Sequence, residues 1–295
     1  MKIQQSQKAK LVAITFLILI GHSFSPGSIP AAGAAKSKAP ARKALSPAGG
    51  QVYLQALLGG SKVVRFIPQE MPLRVCISPG ICIDAAGVDP STGGPLSNVD
   101  NVSGWPKLVG DLKNNPELFN NLPQAEGYAE QMWQAAAQGI SQWKRFQNEG
   151  LFSFEISEDP QDADVYVFWT HHFVNKLGMA LFANDIRGYT SKHLLPYPAV
   201  QNALNSGNSD LLKRSRLPVV MILRTTDLKG AQSTSMPLPK IVAAAAHEMG
   251  HVLGIDQHSP NPADLMHVNY GNGVVSANDA ATIRFIYHRN PDLLP

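Results

Sequence analysis

Two histidines and a glutamate in one short segment constrain this chain more than any other feature. His247 and His251 lie four residues apart in an alanine-rich run, KIVAAAAHEMGHVLG, whose composition favours a helix. At 3.6 residues per turn, both imidazoles leave one face of that helix about a turn apart, as two ligands of one metal ion must. Glu248 leaves the helix at a different angle. It is therefore better placed to hold and deprotonate a metal-bound water than to bind the metal.

A third ligand is expected from the chain that follows the helix. Gly254 comes three residues after His251, where a residue that tolerates positive φ can end the helix and reverse the chain. His258 lies on the returning segment and is the natural candidate, because neutral imidazole is a preferred zinc ligand. Three protein ligands leave the fourth tetrahedral position open for water, which is typical of catalytic rather than structural zinc sites.

The same segment resembles the zinc signature of the metzincin peptidases. HEMGHVLGIDQHS is similar to their zinc-binding motif, and SPNPADLM followed by Tyr270 resembles the Met-turn of their matrixin branch, the matrix-metalloproteinase type. Counted from His258, Pro262 falls four residues later and Met266 eight later, and Tyr270 is four beyond Met266. The resemblance extends over residues 63–290, but its specific part is 247–270.

The third histidine departs from the family pattern, which would place it at Gln257. We interpret the shift to His258 as a one-residue insertion in the loop after Gly254, because the downstream residues return to register when counted from His258 and loops tolerate insertions. Asp256 is the competing ligand, since some metzincins use an aspartate in third place.

The resemblance implies an α+β fold, a zincin-like catalytic domain with a twisted, mixed five-stranded sheet and about three helices. It also implies a secreted zinc metalloendopeptidase that binds one catalytic Zn²⁺ and hydrolyses a protein or peptide substrate. Glu248 would be the general base, Met266 an apolar floor under the histidines, and Tyr270 a pocket or transition-state residue. Two alternatives stay open: a zinc amidohydrolase acting on a non-peptide or cell-wall substrate, and a catalytically silent secreted zinc-binding module.

Charge and hydropathy divide the chain near its N-terminus. Residues 1–69 contain nine of the 25 Lys and Arg residues and none of the 22 acidic ones. Three early lysines, an apolar run at 11–20 and the small residues of 31–35 indicate a secretory signal peptide at 1–35. The apolar run is too short to span a bilayer. We expect a flexible linker at 36–60, a catalytic domain at 61–295, and a secreted monomer that is extracellular or periplasmic, with no nucleic-acid partner and no membrane span after cleavage.

The two cysteines, Cys76 and Cys82, flank a Ser-Pro-Gly turn signal that predicts a hairpin. In an oxidising compartment a disulfide between them is compatible with this arrangement, and so are two reduced core thiols. Neither cysteine has the sequence context of the inhibitory propeptide cysteine of matrixins, so we assign no such switch.

Hydrophobic periodicity predicts the remaining elements. In order, they are a short helix at 51–58, a strand within 63–78, a helix at 125–146, strands at 151–156, 165–169 and 217–224, the metal-bearing helix at 238–253 and a last helix at 276–288. Residues 84–124 are rich in Gly, Pro, Asn, Asp and Ser and are expected to be a long irregular excursion.

Matrixins carry a second zinc and Ca²⁺ sites in the region after the third predicted strand. The ligand spacing of those sites is not recognisable here, so His171, His172 and His193 are interpreted as surface or loop residues. The resemblance also implies that Gly178–Ala183 is an edge strand that pairs with an extended substrate.

Overall fold

The computed structural model describes residues 49–83, 105–115, 117, 119, 122–173, 186–207, 216–229 and 232–295. The chain divides into two units, Met1–Arg42 and Lys43–Pro295, and the fold below belongs to the second. The expected signal peptide at 1–35, the linker as far as 48 and the expected edge strand Gly178–Ala183 all lie outside the described residues.

The framework of the fold is a mixed five-stranded sheet, as the sequence analysis expected. In spatial order the strands are β2 (Phe154–Ser157), β1 (Leu73–Cys82), β3 (Val165–Thr170), β6 (Val219–Arg224) and β4 (Gly188–Ser191). Three neighbouring pairs are parallel (β1 with β2, β1 with β3, and β3 with β6), and β4 runs antiparallel to β6 at one end of the sheet.

Both faces of the sheet are buried, which explains why the central strands have no polar alternation. Every residue of β3 and β6 is buried, as continuous apolar strands in parallel sheets usually are. Because side chains alternate along a strand, Val167 and Met221 enter one core, while Phe168 and Ile222 enter the other. The sheet therefore separates two hydrophobic cores.

Five α-helices are found in the described residues, against about three expected. Their bounds are α1 Trp105–Lys113, α2 Glu130–Ser141, which continues as a 3-10 helix over Gln142–Glu149, α3 Tyr197–Asn205, α4 Leu238–Val252 and α5 Ala277–Tyr287. Helices α2 and α4 pack together in the larger core, while α1 packs in the smaller core through Trp105, Val109 and Leu112.

The expectation of an irregular excursion at 84–124 is wrong where the structure describes that stretch. Helix α1 lies within it, and its buried residues Trp105, Val109 and Leu112 recur at four and three. This spacing is the signal for an amphipathic helix, but it is interrupted by Pro106 and Gly110 and preceded by a turn-rich sequence.

The hairpin expected around Cys76 and Cys82 is not formed. Both residues belong to the single strand β1, whose pairing with β3 changes register between Ile77 and Cys82. The structure contains no disulfide between them: Cys76 packs in the smaller core and Cys82 in the larger one, on opposite sides of the sheet. The arrangement corresponds to the reduced alternative.

Short elements complete the described chain. A 3-10 turn at Leu54–Ala56 stands where a short helix was expected, and a second one covers Pro68–Glu70. Two small antiparallel pairs join β5 (Leu195–Pro196) to β9 (Leu293–Leu294) and β7 (Thr226–Lys229) to β8 (Gln232–Ser235). Of the helices described, none combines the length and the apolar character needed to cross a membrane.

Close contact between α2 and α4 sets the position of α4, which carries His247 and His251. A side chain at Gly139 of α2 would clash with the carbonyl oxygen of Val242 in α4. Four residues after Gly139, the indole Nε1 of Trp143 donates a hydrogen bond of 2.8 Å to the carbonyl oxygen of Ala246, directly before His247. The two contacts fix both the separation of the helices and the depth of α4 in the core.

We predict that Gly139→Ala destabilises the protein, although helix propensity alone would favour Ala by about 1 kcal/mol. The added methyl group pushes α4 away from α2, and overpacking of this kind costs about 1–3 kcal/mol. Urea unfolding followed by circular dichroism measures the change. Gln134→Ala, at an exposed position of the same helix, is the control and should change stability by less than about 0.5 kcal/mol. A stabilised Gly139→Ala variant would show that the helices are not in close contact.

Candidate metal centre

Three histidines converge at the C-terminal end of α4. His247 and His251 lie one turn apart with their ring centroids 4.7 Å apart, and their Nε2 atoms are 3.1 Å apart. The ring of His258, from the returning chain, lies 5.2 Å from each of the other two rings. One ligand nitrogen from each residue lies within 4.8 Å of the others. The structure thus brings together the three residues that the sequence pointed to, and this group could bind a metal ion.

Hydrogen bonds on the outer side of the rings favour metal binding. The Nδ1 atoms of His247 and His251 lie 2.8 Å and 2.6 Å from the carbonyl oxygens of Leu265 and Ile255. Because a carbonyl only accepts, each Nδ1 carries the proton, and each Nε2 presents a lone pair to the centre. Two lone pairs 3.1 Å apart repel unless a cation lies between them. The donor set therefore fits a divalent metal ion.

Burial keeps the two helix histidines in the form that a metal requires. It lowers the pKa of His247 to about 3, and it lowers the pKa of His251 well below its ordinary value, with the neighbouring histidines adding to the effect. Both imidazoles are therefore neutral at physiological pH, and no proton has to be displaced when a metal binds to them.

Glu248 is not a member of the three-histidine group and lies against strand β4 instead. Thr190 Oγ1 donates a hydrogen bond of 2.7 Å to Glu248 Oε2. A Cβ atom at Gly188 would come within 2.6 Å of Glu248 Cγ, so the strand can approach the carboxyl group only because this residue is glycine. Burial raises the pKa of Glu248 to about 8, and Thr190 and Lys192 partly offset that shift. A buried carboxyl group beside a metal site is suited to proton transfer near neutral pH.

The competing third ligand, Asp256, is engaged elsewhere. Its Oδ1 lies 3.2 Å from Lys192 Nζ, and its Oδ2 accepts a hydrogen bond of 3.2 Å from Gln257 Nε2. His258, in contrast, is part of the three-histidine group. Of the two candidate third ligands, His258 and not Asp256 therefore belongs to this group.

Met266, expected to form an apolar floor under the histidines, is fully buried against α4. Its side chain contacts the helix at Gly250, the residue before His251, where the glycine leaves space for it. The turn is held by Asp279, a residue whose role the sequence analysis missed. Asp279 Oδ2 accepts from the backbone N–H of Leu265 at 3.0 Å, and Oδ1 accepts from that of Met266 at 3.4 Å. Asp279 also forms the capping box of α5 with Ser276, a local interaction between residues three apart.

Tyr270 packs against the metal centre in an uncommon backbone conformation. Its φ is 63°, and its ring meets that of His247 edge-on with the centroids 4.6 Å apart. The hydroxyl oxygen accepts a hydrogen bond of 3.0 Å from the backbone N–H of Arg187, whose guanidinium lies 5.0 Å from the ring centre. Burial and the charge of Glu248 raise the pKa of Tyr270, so the hydroxyl stays protonated.

The other histidines considered in the sequence analysis lie apart from this centre. His171 and His172 follow the end of β3 with their ring centroids 4.1 Å apart, and His171 Nδ1 lies 4.0 Å from Glu126 Oε2. His193 is exposed. Within the described ranges, His247, His251 and His258 are the one group in which three ligand atoms from His, Cys, Asp or Glu lie close enough together to bind one metal ion.

Comparison with known proteins adds nothing to this geometry. No protein-family model matches the chain, and no curated protein matches it.

We predict that Glu248→Gln stabilises the metal-free protein in a pH-dependent way. The folded pKa of about 8 exceeds the unfolded value of about 4.3, so unfolding releases a proton between these pH values and stability falls as pH rises through them. Glutamine does not titrate. The variant's advantage should therefore grow from about pH 4.3 to 8 and reach on the order of 2–4 kcal/mol at pH 7.

Urea unfolding with a chelator at pH 5, 6, 7 and 8 measures this difference. Glu155→Gln, at an exposed position on β2, is the control and should show no such trend. The advantage should shrink in the zinc-loaded protein, because a nearby cation favours the carboxylate. An advantage that does not change with pH would contradict the buried, protonated state of Glu248.

Proposed function

We propose that this protein is a secreted zinc metalloendopeptidase of the matrixin-like metzincin type. The observation that carries the proposal is the convergence of three imidazoles, two of them kept neutral by burial, with a buried carboxyl group on the same helix that is not one of the three ligands. Three histidine ligands leave one position of a tetrahedral zinc ion open, which is the arrangement of catalytic rather than structural sites. The buried Met266, which contacts α4 at Gly250 beside His251, supports the same family.

In the proposed mechanism, His247, His251 and His258 would hold Zn²⁺, which would lower the pKa of a bound water and polarise the carbonyl group of the substrate. Glu248 accepts the proton of the attacking water and passes it to the leaving amine. Thr190 keeps the carboxyl group of Glu248 in place through the hydrogen bond to Oε2. Tyr270, protonated and 4.6 Å from His247 between ring centres, forms the wall beside the reacting group.

Strand β4 supports a peptide as the substrate. It is the last strand in the sheet order of the described residues, and it runs beside Glu248. An extended peptide can add to such an edge by backbone hydrogen bonds, which bind main chain rather than a particular side chain. We propose this role for Gly188–Ser191, since the expected edge strand Gly178–Ala183 lies outside the described residues.

The two alternatives share parts of this site. A zinc amidohydrolase acting on a non-peptide or cell-wall substrate would use the same metal and the same base. A zinc-binding module without turnover needs the histidines but has no use for Glu248, which is buried at a cost to stability. The edge strand favours the peptidase over the amidohydrolase. Glu248 favours an enzyme over the zinc-binding module without turnover.

We predict that the mature protein cleaves unstructured protein substrates and that a chelator abolishes the activity. Glu248→Ala should lower kcat by about 10²–10⁴-fold, the usual contribution of a general base, while zinc content stays near that of the wild type. Glu155→Ala is the matched control for the loss of a carboxylate and should retain full activity. Mass spectrometry of the products separates endopeptidase cleavage from amide hydrolysis elsewhere. Activity that survives in Glu248→Ala would exclude this mechanism.

A further inference from the structure

Strand β4 and Lys192, the residue that follows it, contact α4 along one face. Side chains two apart in a strand point to the same side, and on this side Gly188 and Thr190 contact Glu248. Lys192, next in the same alternation, donates a hydrogen bond of 3.0 Å from Nζ to the carbonyl oxygen of His251. A lysine at this place adds a cationic donor to a carbonyl group in the last turn of the helix, which also accepts from the backbone N–H of Gly254.

Lys192 also holds the carboxylate of Asp256. The Nζ–Oδ1 distance is 3.2 Å, and each of the two side chains is only 9% exposed. Removing one partner of a pair buried to this extent leaves an uncompensated buried charge, which is strongly unfavourable. The two groups are therefore held together more firmly than the partners of a surface ion pair. The second carboxylate oxygen of Asp256 accepts from Gln257 Nε2. Each oxygen of Asp256 therefore has a partner outside the three-histidine group.

This pairing matters because of where Asp256 lies. It is two residues before His258 on the loop that returns from α4, and both side chains are of types that bind zinc. The sequence alone left both open as the third ligand. We infer that Lys192 selects between them: by engaging Asp256 in a buried ion pair, it reserves the third position for His258.

The selection has a chemical consequence. Three neutral imidazoles leave the full double charge on a bound cation, whereas an aspartate in place of His258 would neutralise part of it. A higher charge lowers the pKa of a bound water further and polarises a carbonyl more strongly. Lys192 contacts no reacting atom in this scheme, so it is a positioning residue.

Backbone contacts hold the loop independently of Lys192. The N–H groups of Asp256 and Gln257 donate to the carbonyl oxygen of Ala56 at 2.8 Å and 3.1 Å. On the far side of His258, the N–H of Ser259 donates to the carbonyl oxygen of Met266 at 2.8 Å. Loss of the lysine should therefore release the side chain of Asp256 without releasing the loop.

The test measures zinc affinity and the visible spectrum of the Co²⁺-loaded full chain, without any substrate. In the wild-type background, His258→Ala should weaken zinc binding by about 100-fold, and Asp256→Ala should change it by only a few-fold. In the Lys192→Met background, the released Asp256 can replace His258, so His258→Ala should weaken binding by less than about 10-fold. The Co²⁺ spectrum of Lys192→Met/His258→Ala should show a three-ligand site, and that of His258→Ala alone should not.

Three controls separate ligand selection from a general loss of structure. In Lys192→Met/Asp256→Leu both charges are absent, so the cost of His258→Ala should return to about 100-fold. Lys107→Met removes an exposed lysine on α1 and should leave the wild-type pattern unchanged. If circular dichroism shows that Lys192→Met does not fold, Lys192→Gln, which can still donate to the carbonyl oxygen of His251, takes its place in the same measurement.

An equal cost of His258→Ala in the wild-type and lysine-free backgrounds would overturn the inference. It rests on metal binding by the three histidines and not on peptide hydrolysis, so the two proposals can fail separately. If the zinc affinities follow this pattern but the protein cleaves no substrate, ligand selection by Lys192 stands and the proposed peptidase activity is wrong. If the protein cleaves peptides but the affinities do not follow the pattern, the peptidase stands and the selection is wrong.

Discussion

The hydrogen bonds at the outer Nδ1 atoms of the two helix histidines are the constraint on which this site depends. Two buried imidazoles need acceptors for their N–H groups, because an unpaired polar group in a core is strongly unfavourable. The acceptors, the carbonyl oxygens of Leu265 and Ile255, both lie in the chain that follows α4. That chain must therefore turn back at once. It does so at Gly254, which has φ of 115° and leaves no room for a side chain beside the carbonyl oxygen of Val64. The reversal that pairs the histidines also delivers His258 to them.

The returning chain is itself held by buried carboxylates rather than by regular structure. Asp279, at the start of α5, accepts a hydrogen bond from the backbone N–H of Leu265, and one of 2.9 Å from the hydroxyl of Tyr53. Asp264 accepts a hydrogen bond of 2.6 Å from the hydroxyl of Ser259, the residue after His258. The chain on the far side of His258 is thus held by hydrogen bonds to two buried carboxyl groups. A site built in this way can keep its geometry before a metal arrives, which lowers the entropy lost on binding.

Features that depend on residues close in the sequence could be predicted, whereas features that depend on residues far apart in the sequence could not. The spacing of His247 and His251 is a helical repeat within one turn, so it could be predicted from local sequence, as could the capping box at Ser276. The partners of Lys192 and Asp279 could not, because Lys192 and Asp256 are 64 residues apart and meet only through the sheet. Helix α1 was missed because turn-forming residues around it masked a correct apolar spacing. The expected hairpin failed because β1 continues through Pro79 and Gly80 with a change of register instead of a turn.

The position of Glu248 links the edge of the sheet to the metal centre. Its carboxyl group is in contact with Gly188 and Thr190 on β4, and the next residue of that alternation, Lys192, reaches the loop that carries His258. A shift of β4 would therefore move the carboxyl group and the third histidine together. Stability alone does not explain this arrangement, since a buried carboxyl group and a buried ion pair are both expensive in a core that could be apolar. Residues that violate local stability rules while remaining fully satisfied by specific partners are found mainly where a protein performs its function. On this argument, the edge of the sheet, Glu248 and His258 are one unit, and under the proposed function an extended chain docked on β4 would be placed against all three at once.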